Sequence, residues 1–188
     1  GDQKLAYEYL FNCSGIYAEE IAKKYGVGNE YKVLPFKGLY WEIKEPSKFN
    51  LKTNIYPVPD LNVPFLGVHF TPSSDAGKKI YIGPTATLAF GKENYKNMQG
   101  FEPRSSIDSI RLLLMQYIKN KNNIREYAHE QSTLMLEKQF LRAAKELITS
   151  INREDIVRSN KRGIRPQLFN INKEKMEDDF ICLNSVNS

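Results

Sequence analysis

Apolar and polar side chains alternate over residues 39–44 of the chain. Leu39, Trp41 and Ile43 occupy every second position, the period of two that a strand shows when it buries one face. The intervening Tyr40 then points to the opposite face. We therefore predict a strand here whose apolar face needs a covering layer.

Further strands are predicted on both sides of this one. Residues 65–71 and 79–82 flank a turn-rich segment and are typical of a hairpin with a longer loop, which residues 85–90 continue. Residues 55–60 contain two prolines, which favour an extended edge or a loop. In the tail, residues 162–167 and 180–183 are candidate strands.

A strand, a turn and a helix are predicted at the start of the chain. Residues 5–14 are rich in strand formers and lead through Gly15 into a helical pattern over residues 18–24. Gly26 is predicted to end this helix, because glycine readily takes the left-handed conformation of a helix C-terminus.

Two longer helices are predicted in the middle of the chain. The first begins near Ser105, and one of its faces carries Ile107, Ile110, Leu113, Leu114 and Tyr117. The second spans residues 124–151, with a core-packing stripe of Phe140, Leu141, Ala144, Leu147 and Ile148. The order of elements predicts an α+β fold with a mixed, largely antiparallel sheet, formed by residues 31–90 and 156–183, and with helices packed on one face.

Composition and charge restrict the class of protein. The chain has 188 residues, 41% of them hydrophobic, and a mean hydropathy of −0.51. No apolar run approaches the roughly 20 residues that a transmembrane helix needs, so we expect one folded unit outside the membrane, without a secretion signal. The net charge of +5 is spread over mixed-sign stretches, which favours a solvated surface over nucleic-acid binding and suits a small anionic substrate.

The spacing of cysteine and histidine excludes two kinds of site. Cys13 and Cys182 form no CxxC pair, so we predict reduced thiols in a cytoplasmic protein. His69 and His129 lack neighbours at metal-ligand spacing, so no metal is expected, and His129 is predicted to lie on the surface of its helix.

Signatures of common enzyme sites are absent from the sequence. The nearest match to the dinucleotide fingerprint GxGxxG places Tyr31 where the third glycine belongs. Neither the phosphate loop GxxxxGK[ST] nor the nucleophile motif GxSxG occurs. The chain itself therefore carries no recognisable phosphate-binding loop, and nucleophilic hydrolysis has no support.

Four ordered blocks between residues 33 and 90 resemble the L-2-hydroxyglutarate dehydrogenase/oxidase family. They read VLPFKGLYWEI (33–43), NIYPVPD (54–60), PFLGVHFT (64–71) and GPTATLAF (83–90). A fifth block, GIRPQ (163–167) with DDF (178–180) beyond it, is similar to the segment near the end of those proteins. The resemblance brackets nearly the whole chain, with a weaker match over the helical stretch.

This resemblance implies membership of the D-amino-acid-oxidase-like flavoproteins, whose chains interleave an FAD domain with a substrate domain. It predicts residues 1–30 as a remnant of the FAD domain, residues 31–183 as the substrate-binding domain and residues 184–188 as a truncated tail. The main flavin fingerprint would precede Gly1. We therefore expect an internal fragment that is inactive alone and binds FAD only weakly.

The resemblance also implies residues for carboxylate and cofactor binding. In related flavoproteins the arginine of a Gly-x-Arg-Pro segment binds the substrate carboxylate, which points to Arg165, with a structural ion pair as the alternative. Asn12, Ser14 and Gly15 belong to a stretch similar to the small-residue turn that lies against FAD in the family, and they are expected to contact the cofactor.

Oxidation of a 2-hydroxy acid also needs a group that accepts the hydroxyl proton. His69, with an ordinary pKa of about 6.5, suits this role, although a structural histidine is the alternative. Lys37, Tyr40 and Tyr56 are candidates for the distal end of the acid, or else core and rim residues. Lys37 replaces the arginine common in the family and loses its bidentate geometry, and Thr85 replaces a common asparagine.

The expected function belongs to a longer parent protein. It is the FAD-dependent oxidation of L-2-hydroxyglutarate, or a similar 2-hydroxy acid, to the 2-oxo acid. The alternatives are an amino-acid oxidase of the same superfamily and a stand-alone, non-enzymatic binding domain. The expected location is the cytoplasm, or the periphery of the inner membrane in the parent, and the electron acceptor is left open.

Overall fold

The computed structural model describes residues 4–59, 66–74 and 79–185. Within these ranges five strands form one antiparallel sheet in the order β2-β3-β1-β4-β5, accompanied by four α-helices. The strands are β1 (Tyr31–Ile43), β2 (His69–Pro72), β3 (Ile80–Leu88), β4 (Ile156–Asn170) and β5 (Lys175–Met176). The helices are α1 (Ala18–Lys24), α2 (Pro103–Lys119), α3 (Ile124–Leu134) and α4 (Glu137–Leu147). The predicted α+β class is confirmed.

Strand β1 is the centre of the sheet and pairs with both β3 and β4. The register shifts between Leu39 and Trp41, around Tyr40. Over this step β1 advances by two residues, β3 by three (85 to 82) and β4 by four (162 to 158), so the extra residues belong to β3 and β4. Because β1 stays regular, its side chains continue to alternate between the two faces.

The larger hydrophobic cluster joins β1, β2 and β3 to α4. Trp41 stacks on Phe140 with ring centroids 5.4 Å apart, and Phe140 is completely buried. The other buried members of the cluster are Ile43, Val68, Phe70, Ile80, Ile82, Leu134, Ala144, Ile151 and Ile156. The α4 stripe predicted from the sequence therefore supplies the covering layer over Trp41 and Ile43.

A smaller hydrophobic cluster joins β1, β4 and β5 to α2. It consists of buried Leu34, Phe36, Phe169 and Met176, packed against Leu112, Leu113 and Ile124. Of the apolar face predicted for the first long helix, only Leu113 takes part. Its other four members, Ile107, Ile110, Leu114 and Tyr117, are exposed, while Ser106, Ser109 and Gln116 are buried.

The prediction of a single helix over residues 124–151 was wrong. The chain forms α3 and α4 with a break at Leu136, whose backbone is extended (φ −80°, ψ 125°). Just before the break, the hydroxyl groups of Ser132 and Thr133 each donate to the carbonyl oxygen three residues earlier, at 2.7 Å. Such bonds compete with the helical backbone pattern and so favour an end at this point.

The strands predicted for residues 5–14 and 180–183 are also absent from the described sheet. Strand formers need a neighbouring strand edge, and neither segment pairs with one. In contrast, α1 and the left-handed Gly26 (φ +76°) are confirmed. The strand that pairs with the end of β4 is β5, and not residues 180–183.

The predicted hairpin is confirmed as the antiparallel pair β2 and β3, and its loop residues 75–78 lie outside the described ranges. Residues 60–65, which include the start of the predicted strand over 65–71, also lie outside them. Ile55 makes a single bridge to Phe70, as expected for an extended edge. Among the described residues, no helix is long and apolar enough to cross a membrane.

Candidate active site

A pair of glycines leaves a flat area on the β1–β4 ladder. Gly38 pairs with Gly163, and the ring of Tyr40 lies over both residues. Tyr40 Cε2 is 3.6 Å from the point where a Cβ of Gly38 would lie, and Tyr40 Oη is 4.0 Å from the equivalent point of Gly163. A Cβ on Gly38 would also approach Pro84 to 2.7 Å, so this position requires glycine. Tyr40 therefore lies on the face of the ladder where the missing Cβ atoms of both glycines would be.

Arg165 shares this face with Tyr40. It pairs with Phe36, two residues before Gly38, and residues two apart on a strand point to the same side. The guanidinium of Arg165 also lies near the phenol of Tyr127 on α3. Burial raises the pKa of Tyr127, and the positive charge of Arg165 opposes this rise. Arg165 and Tyr127 therefore form one end of the surface around Tyr40.

His69 and Tyr56 lie together near the other end. Their ring centroids are 4.5 Å apart with an interplanar angle of 34°. His69 Nδ1 donates a hydrogen bond to the carbonyl oxygen of Gly67 at 2.9 Å, which leaves the lone pair on Nε2. Burial lowers the pKa of His69, so the ring is neutral at pH 7. In the described part of the chain, Nε2 has no hydrogen-bond partner.

Tyr40 connects these two ends. Burial raises its pKa, and the nearby phenol of Tyr56 raises it further. The ring of Tyr81 meets Tyr40 edge to face at 6.4 Å, and Lys161 Nζ lies 4.1 Å from the centre of Tyr81 and 5.2 Å from that of Tyr40. Tyr81 is two residues from Gly83, the partner of His69, so it points to the same side of the sheet. Tyr81 and Lys161 were not predicted as site residues.

Lys37 is not part of this group. It pairs with Ile164, one residue away from the Phe36 and Arg165 pair, and so points to the opposite face of the ladder. Its Nζ donates to Asn94 Oδ1 at 3.0 Å. Burial lowers the pKa of Lys37, and the charge of Arg162 lowers it further. The structure therefore separates Lys37 from Tyr40 and Tyr56.

The turn predicted to contact FAD is held by its own side chains. Asn12 Oδ1 accepts from Ser14 Oγ at 2.6 Å, and Asn12 Nδ2 donates to the carbonyl oxygen of Ala18 at 2.8 Å. Gly15 has φ +59° and no atom within 4 Å of its Cβ position. This small and partly exposed turn fits a flat ring placed against it, although it offers no phosphate loop.

Other features lie apart from the Tyr40 surface. Thr85 is buried, with Oγ1 3.8 Å from Met135 Sδ, as a structural residue would be. His129 is exposed, as predicted. An open cleft of about 540 Å³ lies at the far end of β1 and is lined by Asn29, Glu30, Tyr31, Asn170, Asn172 and Lys173. It contains none of the predicted site residues.

Comparison with known proteins identifies the family. The family described as DAO, FAD dependent oxidoreductase, matches residues 1–181. The chain belongs to this family. Membership is consistent with the α+β fold. It also indicates FAD as the cofactor of the parent protein.

Several relatives of the chain are named L-2-hydroxyglutarate dehydrogenase. The chain is 33% identical to the mitochondrial L-2-hydroxyglutarate dehydrogenase of Nematostella vectensis over 183 residues, which are 95% of the chain and 38% of that protein. It is 34% identical to the L-2-hydroxyglutarate dehydrogenase of Indibacter alkaliphilus over 84% of the chain and 39% of that protein. The mitochondrial human enzyme is 40% identical over 50% of the chain. The chain thus spans about two fifths of the first two relatives.

Proposed function

We propose that this chain forms the substrate side of a flavoenzyme that oxidises L-2-hydroxyglutarate, or a close 2-hydroxy acid, to the 2-oxo acid. The observation that carries the proposal is the shared surface of Arg165, Tyr40 and His69, which combines a cation, a phenol and a neutral imidazole. The relatives named L-2-hydroxyglutarate dehydrogenase support the same substrate. FAD supplies the hydride acceptor when it is bound.

Each side chain has a role that follows from its chemistry. The planar guanidinium of Arg165 binds one carboxylate of the acid through two parallel hydrogen bonds. His69 Nε2 accepts the hydroxyl proton as the hydrogen on C2 leaves with its electron pair. Tyr40 lies between these groups and Tyr56 lies beside His69, where their hydroxyls orient the acid and their rings exclude water.

The division of the chain follows the same proposal. Residues 31–183 form the substrate-binding part, and residues 1–30 form the side that meets the flavin, with Asn12, Ser14 and Gly15 at the contact. Glu19 Oε2 accepts a hydrogen bond from the backbone nitrogen of Val33 at 2.6 Å and so fixes the two parts to each other. A cytoplasmic location stays a prediction, and the animal relatives are named as mitochondrial.

Reduction of the flavin tests the proposed substrate directly. We expect L-2-hydroxyglutarate, added without oxygen to the complete flavoprotein that contains this chain, to bleach the oxidised flavin absorbance. On this proposal glutamate, which carries an ammonium group in place of the hydroxyl, should leave the spectrum unchanged. Bleaching by glutamate alone would favour the amino-acid oxidase, and an unchanged spectrum with both acids would contradict the proposal.

The role of Arg165 is tested by Arg165→Lys in the same flavoprotein. Lysine keeps the charge but loses the two-pronged donor, so we expect a loss of ~1.5–3 kcal/mol of transition-state stabilisation, a roughly ten- to hundred-fold fall in kcat/KM. The melting temperature should change little.

The matched control is Arg158→Lys on the same strand, where the guanidinium lies 4.9 Å from the ring centre of Trp41. This variant should keep kcat/KM within about twofold, because it alters packing away from the Tyr40 surface. A loss of stability in Arg165→Lys, with less than a threefold kinetic effect, would instead identify Arg165 as a structural ion-pair residue.

A further inference from the structure

Two cations lie side by side on the face of the β1–β4 ladder opposite Tyr40. Lys37 pairs with Ile164, and Arg162 pairs with Leu39, which makes the two basic residues diagonal neighbours on the same side. Both are half-buried. Long side chains at such positions reach each other, so their charges interact.

The guanidinium of Arg162 is fixed by the backbone of β4. Its Nη1 donates to the carbonyl oxygens of Ser159 at 2.5 Å and of Lys161 at 2.7 Å. These carbonyls belong to the extra residues that β4 contains opposite Tyr40. One edge of the guanidinium is therefore used for anchoring, while the described residues leave Nε and Nη2 available for another acceptor.

The ammonium of Lys37 is fixed by Asn94, which is only 1% exposed. Asn94 Nδ2 donates to the carbonyl oxygens of Asn97 at 2.7 Å and of Gln99 at 2.9 Å. Because Nδ2 is the donor in both bonds, they fix the orientation of the side-chain amide. Oδ1 then faces Lys37 Nζ and accepts its hydrogen bond. The turn after β3 thus holds Lys37 in one position.

No carboxylate of the described residues forms an ion pair with Lys37 or Arg162. Two like charges held together in a partly desolvated place raise the free energy of the protein unless an anion compensates them. Burial lowers the pKa of Lys37, and the repulsion from Arg162 lowers it further. The arrangement is typical of a binding site for an anion.

We propose that Lys37 and Arg162 bind a small oxyanion, a carboxylate or phosphate group, at a site separate from the Arg165 surface. The free edge of Arg162 donates two hydrogen bonds and Lys37 adds a point charge. Leu39 and Ile164 flank the cations and exclude part of the solvent. This site does not depend on the proposed oxidation. The oxyanion can come from the phosphates of a nucleotide cofactor or from a free organic acid.

Calorimetric titration of the chain at low ionic strength tests the site, with inorganic pyrophosphate and glutarate as the probes. We expect the unchanged chain to bind at least one probe, and Lys37→Met and Arg162→Gln each to weaken it about tenfold or more. Tighter binding of pyrophosphate supports a cofactor phosphate as the source, and tighter binding of glutarate supports an organic acid.

Two further variants separate loss of the binding site from a general change in charge or stability. Arg158→Gln removes an arginine elsewhere on β4 and should leave the affinity within about twofold. Arg162→Lys retains the charge and should bind more tightly than Arg162→Gln, even if both lose some stability. Equal affinity in the unchanged chain and in Arg162→Gln, or no binding of either probe, would overturn the proposal. Flavin bleaching by L-2-hydroxyglutarate reports on the Arg165 surface independently.

Discussion

Replacing Phe140 with alanine is expected to lower the free energy of unfolding by ~3–5 kcal/mol, the range measured for large-to-small changes in protein cores. Phe140 is completely buried, and its ring stacks on Trp41, so the change removes apolar burial and leaves a cavity between α4 and the sheet. Urea unfolding followed by Trp41 fluorescence measures both the loss of stability and the loss of the stacked ring.

Leu114→Ala on α2 is the matched control. Leu114 is 55% exposed, so its truncation removes little buried surface and should cost no more than about 0.5 kcal/mol. A similar cost for both variants would mean that the α4 contact with Trp41 does not dominate the core. A change below about 1 kcal/mol for Phe140→Ala would contradict the packing described here.

The sequence predicts the centre of the sheet well, because burial on one face imposes a period of two that is visible at Trp41 and Ile43. The same reasoning fails for residues 5–14, where aromatic and apolar residues are present but no strand edge lies beside them. The break at Leu136 also escapes the helical pattern. It depends on hydroxyl bonds from Ser132 and Thr133, and helical periodicity carries no information about these bonds.

The orientation of α2 shows a different limit of sequence reasoning. Its apolar stripe is real, yet the helix turns Ser109 and Gln116 inward and leaves Leu114 exposed. Contact with the sheet is made by Leu113, at the edge of that stripe, and by Leu112, which lies outside it. A pattern identifies which residues share a face, whereas the neighbouring elements decide which face is covered.

The sequence suggested residues for the candidate site but not their arrangement. The resemblance indicated Arg165, and the chemistry of the reaction suggested His69, Tyr40 and Tyr56. Strict alternation along β1 would have separated Lys37 from Tyr40, since 37 and 40 have opposite parity. The position of Lys161 over Tyr40 depends on the extra residues of β4. Such an irregularity arises when strands pair and has no signature within one strand.

His69→Asn in the complete flavoprotein is expected to lower kcat/KM for the 2-hydroxy acid by about 10²- to 10⁴-fold, the usual contribution of a positioned general base. Asparagine retains an N–H donor near the carbonyl oxygen of Gly67, so this hydrogen bond and the fold should be largely preserved, although the ring contact with Tyr56 is lost. What it lacks is a basic Nε2, which the proposal requires to accept the hydroxyl proton. Stopped-flow measurement of flavin reduction isolates this chemical step from product release.

The pH dependence of kcat/KM separates a base from a structural histidine. Burial lowers the pKa of His69 below its ordinary value of about 6.5. Protonation removes the base, so kcat/KM of the unchanged enzyme should fall only as the pH drops through this lowered pKa, and the fall should be absent in His69→Asn. Tyr56→Phe, which keeps the ring and removes the hydroxyl, should retain the acid limb. An acid limb that persists in His69→Asn would assign the proton transfer to another group.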